Sequence, residues 1–319
     1  MLRNFSSAYS LGIHSHKSIE FADIRIGTDN RLFIDPSRVR LAALAGDPWA
    51  QKAVALLDTL FDVLFNAARN RDWLTLRRLI EKTCGEINET HLGLSHAQPN
   101  GNGASFSLIF PALHQIVEQG LFDQGCVIGI EDVPIWTKGI DADRLSDWVT
   151  NIIWPVLEEF TISQYHQYGL SQEHAAEVVW RAWDPYCMTW VNHPTFPLLC
   201  DDQRILLCPK RFLCTKLLFG TADFLRTEVL EYRQRCHLDA RTALCGQHVY
   251  DDGSVTYTAP TKKDLLRYEV RGQGYLPYLL VHAQGHPELI RHYHQRHEYQ
   301  PGNEKWFISD ETLDTLLYA

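Results

Sequence analysis

The sequence predicts an α+β fold in which helices outnumber strands. Apolar residues recur at helical spacing over 47–69 and again from about 143 to 168, which is typical of amphipathic helices that bury one face. Shorter apolar runs next to glycine or proline, such as 126–130, indicate strands. No internal repeat, low-complexity tract or linker divides the 319 residues. We therefore expect a helix-rich single compact domain, 1–319, with a small mixed or antiparallel sheet.

In the first 120 residues, a hairpin and three helices are predicted. Apolar positions on both sides of the turn formers Gly27–Asn30 predict the hairpin. Asp47 followed by Pro48 predicts the start of the first long helix, because proline suits the first helical position. A polar, glycine-rich loop is expected over 88–102. The expected bounds are 18–35 for the hairpin and 47–69, 71–83 and 105–119 for the helices.

Beyond residue 120, extended pieces are expected to alternate with helices. The apolar run Cys126–Ile130 predicts a buried strand, and Val133–Thr137 is expected to be extended. Pro155 should kink the longest helix, and Gly169 should end it. The turn Asp251–Gly253 predicts a hairpin. The other expected elements are helices over 143–168, 172–183 and 221–243, strands over 187–191 and 204–208, the hairpin 249–257, helical segments within 261–297 and a final helix after Ser309.

Composition excludes several classes of protein. Lys and Arg number 30 against 39 Asp and Glu, and a net charge of -9 excludes a uniformly basic coat for nucleic acid or anionic lipid. None of the eight cysteines has Cys-x-x-Cys spacing, which argues against zinc-ribbon and thioredoxin-type proteins. No apolar run is long enough to span a bilayer, and the first residues lack the apolar core of a secretory signal. We expect a cytoplasmic protein that does not associate with membranes.

The two signs of charge are unevenly distributed. Residues 204–300 hold 14 Lys and Arg against 10 Asp and Glu, whereas the remainder holds 16 against 29. A division near residue 200, into an acidic portion 1–200 and a more basic portion 201–319, is the alternative to a single domain. Lys210 and Lys262 belong to the basic excess and are candidate contacts to a phosphate-bearing substrate. A solvated helix face would have the same composition.

The densest polar cluster is 139–147, where the longest helix is expected to begin. Asp143 and Asp147 are four residues apart, which places them on one helical face. Arg144 lies between them and is a candidate contact to phosphate. Aspartate is also the residue that helix starts prefer for capping, so the cluster fits a purely structural role as well.

Two further clusters hold candidate acids. Asp132 follows the predicted strand beside Glu131, and paired carboxylates at such a position are common in metal-dependent hydrolysis. Glu89 and His91 lie in the predicted loop, where they could form a metal site or a general acid–base pair. A solvated loop between two helices is the other interpretation of these residues.

Together, these clusters predict an acidic site for Mg²⁺. Glu89, Asp132 and Asp143 would be metal ligands, and Asp147 would complete the catalytic set. The corresponding function is a metal-dependent phosphodiesterase or nuclease that acts on nucleic acid or a nucleotide. The Asp…Glu-x-Lys pattern of restriction-type nucleases is absent.

A histidine-rich segment lies near the C-terminal end. On a helix, His294 and His297 would share a face, whereas His292 would lie off it. Metal binding is one interpretation, and an exposed polar helix end is the other.

Three motifs carry a resemblance to other proteins. They are Leu32-Phe33-Ile34-Asp35-Pro36, the run from Asn88 to Ser95 (NETHLGLS) and the run from Gly139 to Asp147 (GIDADRLSD). At these positions, and at Leu206–Lys210, the chain resembles a set of uncharacterised bacterial proteins from mobile-element and phage-defence neighbourhoods. The resemblance covers about the first half of the chain. It implies a defence context and assigns no catalytic role to any residue.

Two alternatives to the nuclease hypothesis remain open. One is a non-catalytic sensor or adaptor subunit of a multi-protein defence complex, in which the 9 Trp, 13 Tyr and 14 Phe would supply interface anchors for the product of a neighbouring gene. The other is an enzyme that acts on a small nucleotide through the glycine-rich loop.

Overall fold

The computed structural model describes residues 3–85, 87–94 and 104–318. The predicted glycine-rich loop is described only as far as residue 94, and the rest of that prediction, 95–102, lies outside the described residues. The α-helices within the described part are α1 (Phe5–Ala8), α2 (Pro36–Leu44), α3 (Pro48–Arg69), α4 (Trp73–Glu81), α5 (Phe106–Glu118), α6 (Val133–Trp136), α7 (Ala142–Gln167), α8 (Thr221–Phe224), α9 (Leu230–Ala240), α10 (Lys262–Leu265), α11 (Tyr275–Ala283), α12 (Pro287–Arg296) and α13 (Asp310–Tyr318).

The strands form small antiparallel sheets. Their bounds are β1 (Phe33–Ile34), β2 (Glu173–His174), β3 (Val178–Asp184), β4 (Thr189–Thr195), β5 (Leu198–Cys200), β6 (Gln203–Arg204), β7 (Leu213–Cys214), β8 (Gly246–Val249) and β9 (Val255–Thr258). β1 pairs with β7, β3 with β4, and β8 with β9, while β5 lies between β2 and β6. The predicted helix-rich α+β class is confirmed, with several separate small sheets in place of one.

The long helices form where the apolar spacing predicts them. Asp47 caps α3, because its carboxylate accepts the N–H groups of Trp49 and Ala50. The longest helix, α7, begins one residue before its predicted start and ends at Gln167. Gly169 follows with a φ of +62°, a conformation that glycine adopts without strain. The predicted helices at α4, α5, α9, α11, α12 and α13 and the hairpin β8–β9 are also confirmed.

The predicted hairpin over 18–35 is wrong. The only strand among these residues is β1, and Phe33 and Ile34 pair with Cys214 and Leu213 of β7 instead of with the preceding segment. The preceding segment is buried on both sides, and the N–H of Ala22 donates to the oxygen of Cys208. The apolar residues are thus inside as expected, but distant segments supply the hydrogen-bond partners.

The strand predicted over Cys126–Ile130 and the extended piece after it are also wrong. The chain forms a 3₁₀ turn at Ile130–Asp132 and then α6. The carboxylate of Asp132 accepts the N–H groups of Ile128 and Gly129, which takes those donors out of any sheet. Pro134, in the first turn of α6, suits a helix start.

The helix predicted over 172–183 is replaced by β2 and β3. The tryptophan- and valine-rich segment pairs with β4 in a hairpin, and Trp180 lies opposite His193. Asp184 closes the turn by accepting the N–H groups of Tyr186 and Cys187. Of the two predicted strands, 187–191 belongs in part to β4, whereas 204–208 is a strand only at Arg204.

One hydrophobic core connects both ends of the described chain. It extends from Phe5 in α1 to Leu317 in α13, and the indole rings of Trp136, Trp148 and Trp154 are among its largest buried side chains. α7 is central to this core, because it packs against α3, β1 and β3. The core positions α2, the turn before α6, and α12 beside one another, where the candidate site lies.

Candidate acid–base site

Four ionisable side chains lie close together, although they come from three segments that are distant in the sequence. Arg40 comes from α2, Glu131 and Asp132 from the 3₁₀ turn before α6, and His294 from α12. Asp35 caps α2, the helix that carries Arg40, by accepting the N–H of Ser37.

Asp132 and His294 form a fixed pair. Nε2 of His294 donates to Oδ1 of Asp132 at 2.8 Å, and the N–H groups of Ile128 and Gly129 donate to Oδ2 at 2.8 and 3.1 Å. Asp132 is fully buried. Burial acts to lower the pKa of His294, but the hydrogen bond and charge of Asp132 outweigh burial, so the pKa of His294 is raised. Asp132 therefore orients the imidazole and favours its protonated form.

Glu131 lies beside this pair and is only partly neutralised. Nε of Arg40 lies 2.6 Å from Oε1 of Glu131, and Nη2 of Arg40 lies 2.6 Å from Oδ1 of Asp58. The Glu131 side chain is 4% exposed, and Oε2 has no hydrogen-bond partner among the described residues. Burial raises the pKa of Glu131, with Arg40 opposing the shift and Asp132 adding to it. A carboxyl group in this environment exchanges a proton more readily near neutral pH than an exposed one.

Gly129 makes room for the Glu131 carboxylate. A Cβ atom at this position would lie 2.5 to 2.6 Å from the carboxylate carbon and both oxygens of Glu131. The carboxylate thus folds back over a backbone position that only glycine leaves open.

Two cavities meet at this cluster, and Arg40, Glu131 and His294 line both of them. One cavity has a volume of about 240 Å³ and is walled mainly by apolar side chains, among them Leu41 and Phe219. The other has a volume of about 400 Å³ and is more polar. A buried carboxyl group, an imidazole held by a carboxylate and a guanidinium therefore line space that a small group can enter. This set can move protons and hold an anionic group.

The sequence-predicted acids do not share this site. Asp132 belongs to it, but Glu89 pairs loosely with Arg204, with 3.5 Å between Oε1 and Nη1. Asp143 lies on the first turn of α7, where a Cβ on Gly93 would touch both Asp143 and Asp29. Burial raises the pKa of Asp143, and the charges of Asp141 and Asp29 add to the effect. Each predicted metal ligand thus has different neighbours.

The predicted phosphate contacts make local ties. Arg144 donates to the oxygen of Gly139 at 3.0 Å and pairs with Asp141, which caps α7. Lys210 donates to the oxygen of His16 and pairs with Asp310, so it holds α13 against the N-terminal segment. The bonds of Arg144 fit the purely structural role, whereas Lys210 is mostly buried and does not lie on a solvated helix face.

Lys262 lies on α10 and Asp147 on α7, and neither belongs to the candidate site. Lys262 donates to Glu231 of α9 at 2.8 Å, and its side chain is 38% exposed. Asp147 is half-buried on α7, one helical turn after Asp143, and its backbone oxygen accepts from Asn151.

The donor set at Glu131 suits proton transfer better than it suits a metal ion. Both oxygens of Asp132 are occupied, and Arg40 takes one oxygen of Glu131. In the described ranges 3–85, 87–94 and 104–318, no group of three or more His, Cys, Asp or Glu side chains is arranged to hold a metal ion. The Mg²⁺ requirement stays a prediction.

Three of the four site residues belong to clusters that the sequence marks, but the sequence does not show that they lie together. Helical spacing groups His294 with His292 and His297, whereas in the structure His292 pairs with Glu228, and Nδ1 of His297 donates to the backbone oxygen of Tyr293. Arg40 lies outside the clusters that the sequence marks. The available signal was an arginine in α2 next to the buried residues Val39 and Leu41.

Among the described helices, none is both long and apolar enough to cross a lipid bilayer.

Comparison with known proteins gives a family and no named relative. Neither a curated protein nor a solved structure matches the chain. A family model described as a domain of unknown function, DUF8370, matches residues 12–219, which is about two thirds of the chain and includes Arg40, Glu131 and Asp132. The chain therefore belongs to the DUF8370 family.

Proposed function

We propose that this protein is a cytoplasmic phosphodiesterase that acts on nucleic acid or a nucleotide as an effector of phage defence. The observation that carries the proposal is the free, buried carboxyl oxygen of Glu131, which lies beside the His294–Asp132 pair and Arg40 where two cavities meet. The defence context comes from the resemblance of the three sequence motifs.

The residues divide into a base, an acid and a phosphate contact. Glu131 accepts the proton of an attacking water through Oε2, while Nδ1 of protonated His294 delivers a proton to the leaving oxygen. Asp132 holds the imidazole through Nε2, and Arg40 offsets the negative charge of the phosphate. One water is consumed, one P–O bond breaks, and another forms.

Site-specific variants in a cleavage assay test this assignment. Wild type, Glu131→Gln and His294→Gln are assayed on single-stranded DNA, duplex DNA, RNA and bis(p-nitrophenyl) phosphate. Each substitution should lower the rate by about 10²- to 10⁴-fold, the usual contribution of a general acid or base. Glu288→Gln, an exposed glutamate on the same helix as His294, is the control and should leave the rate unchanged.

The same assay separates this centre from the sequence-predicted metal site. Asp143→Asn combined with Asp147→Asn should leave the rate within a few-fold of wild type if Glu131 and His294 do the chemistry. Loss of activity in that variant, with Glu131→Gln fully active, would place the chemistry at the start of α7. Assays with Mg²⁺ and with EDTA check the predicted metal requirement.

A phage-plating assay tests the defence context. Expression of the wild-type chain in a bacterial host should lower plaque numbers. Expression of Glu131→Gln to the same level should not. Equal protection by both chains would separate any defence role from this centre.

A second function, that of a non-catalytic adaptor, is favoured by the exposed apolar residues of the β3–β4 hairpin and the segment that follows it. Tyr186 is 94% exposed and Met188 59%, and both lie in the turn of this hairpin, whereas Phe196, which is 55% exposed, lies at the other end of the strands. Neighbouring exposed apolar residues such as Tyr186 and Met188 are typical of protein-binding surfaces. Co-elution with the product of an adjacent gene that is lost in Tyr186→Ser/Met188→Ser, without any cleavage activity, would favour this alternative.

A further inference from the structure

We propose that the protein has a second binding site, which binds a planar base that carries a phosphate. This site is separate from the acid–base cluster. The site is a cavity of about 390 Å³ between the C-terminal end of α4, α7 and β3. Its volume lies within the range of about 300–1,000 Å³ that is usual for small-ligand sites. It shares no lining residue with the two cavities at Glu131.

One wall of this cavity is aromatic. Trp154 and Trp180 both line it, with their ring centroids 4.7 Å apart and their planes at 87°. The indole N–H of Trp154 donates to the oxygen of Arg181 at 2.8 Å, so the buried ring is held in one orientation. Trp180 is half-buried on β3 and offers ring surface to the cavity. Such a surface favours stacking of a planar, π-rich group.

Among the described residues that line the cavity, positive charge is in excess. Lys82, Arg181 and Arg204 line it, against Glu81 and Glu89. Glu81 is already bound by Arg77 at 2.9 Å.

The cations are only weakly neutralised. Glu89 holds Arg204 at 3.5 Å, a distance that leaves donors of the guanidinium free. Within the described part of the chain, the side chains of Lys82 and Arg181 form no ion pair. An anionic group, such as a phosphate, would balance this charge.

An amide side chain, that of Asn151, also lines the cavity. Nδ2 of Asn151 donates to the backbone oxygens of Gly85 and Asp147, both at 2.8 Å. These bonds fix the amide so that Oδ1 remains as an acceptor for a ligand N–H. Stacking, a hydrogen-bond acceptor and weakly neutralised cations are together the recognition elements of a nucleotide. A nucleotide can reach the cavity free in solution or as part of a single strand.

Isothermal titration with defined probes tests this inference. The probes are AMP, adenosine, inorganic phosphate and the single-stranded trinucleotide ApApA, titrated into the full chain. We expect AMP to bind at least tenfold more tightly than adenosine or inorganic phosphate. Tighter binding of the trinucleotide than of AMP would identify strand nucleotides as the source, and equal or weaker binding would identify free nucleotides.

Substitutions locate the binding. Trp180→Leu and Arg204→Gln should each weaken AMP binding about tenfold, whereas Trp180→Phe should bind within a few-fold of wild type because it keeps a stacking surface. Arg235→Gln, at an exposed arginine elsewhere, is the matched control. Far-UV circular dichroism checks that each variant is folded.

Two results would overturn the inference. One is AMP binding no stronger than that of inorganic phosphate. The other is unchanged binding in both Trp180→Leu and Arg204→Gln. Glu131→Gln should bind AMP as wild type does, so failure of this site and failure of the proposed phosphodiesterase centre are distinguishable.

Discussion

Two adjacent carboxylates, Glu131 and Asp132, have opposite surroundings. Asp132 accepts three hydrogen bonds and is fully satisfied, whereas Glu131 keeps one buried oxygen without a partner among the described residues. A buried unsatisfied oxygen is destabilising, so its presence needs a reason other than stability. A buried carboxyl group whose pKa is raised, as that of Glu131 is by burial, is typical of acid–base sites.

The space over Gly129 gives the first prediction. Gly129→Ala should destabilise the protein by about 1–3 kcal/mol, because the new methyl group would collide with a carboxylate that Arg40 and burial hold in place. It should also impair cleavage, since Glu131 must move. Urea denaturation measures the stability. Gly272→Ala, where a Cβ meets no atom within 4 Å, is the control and should change neither quantity.

The raised pKa of His294 gives a pH-dependent prediction. A histidine whose folded-state pKa exceeds its unfolded value of about 6.5 stabilises the fold fully below that pH, and this contribution is lost as the pH rises through the folded-state pKa. The difference in unfolding free energy between wild type and His294→Gln should therefore be larger at about pH 6 than at about pH 9. His14→Gln, at an exposed histidine, is the control. A difference that grows with pH would contradict the assigned ion pair with Asp132.

At the scale of elements, an indole hydrogen bond connects the β3–β4 hairpin to α3. Trp183 is 2% exposed, and its indole N–H donates to Oγ1 of Thr59 on α3 at 3.0 Å. Thr59→Val keeps the shape of the side chain but leaves that buried donor without an acceptor, which should cost about 1–3 kcal/mol. Thr315→Val, at an exposed position of α13, is the matched control and should cost much less. Equal thermal denaturation midpoints for the two variants would argue against this contact.

The elements that the sequence predicts correctly are those with local signals. α3 has a capping aspartate, a proline at its start and apolar residues at helical spacing, and these all agree. The segment 126–136 misleads because its short apolar run fits a strand and a buried turn equally well, and the side chain of Asp132 decides between them. For β3, pairing with β4 overrides the helical pattern of 172–183.

At the scale of the molecule, the candidate site depends on contacts that no local pattern encodes. His294 contacts Asp132, which lies 162 residues earlier in the sequence. Arg40, on a helix near the N-terminal end, contacts Glu131. The sequence shows that acids and histidines are clustered along the chain, but only the fold determines which clusters meet. For this reason, residue types could be predicted and their grouping could not.

Both ends of the described chain contribute to one core, which predicts coupled unfolding. Leu317 is 2% exposed, and Asp314 accepts from Ser15 and from the backbone and ring of His16. Leu317→Ala should destabilise the protein by about 2–5 kcal/mol. It should lower the midpoint of a single unfolding transition, and calorimetry and circular dichroism should give the same midpoint. Two separated transitions, only one of them shifted, would favour the alternative division near residue 200.

The pH dependence of phosphodiester cleavage decides whether Glu131 and His294 act as base and acid. With Glu131 as the base and His294 as the acid, the rate of the wild-type chain should rise as Glu131 loses its proton, at a pH above the ordinary glutamate pKa of about 4.3. It should fall again as His294 loses its proton, above about pH 6.5. In His294→Gln, the residual rate should lack the fall at high pH. An unchanged bell-shaped profile in that variant would contradict the account.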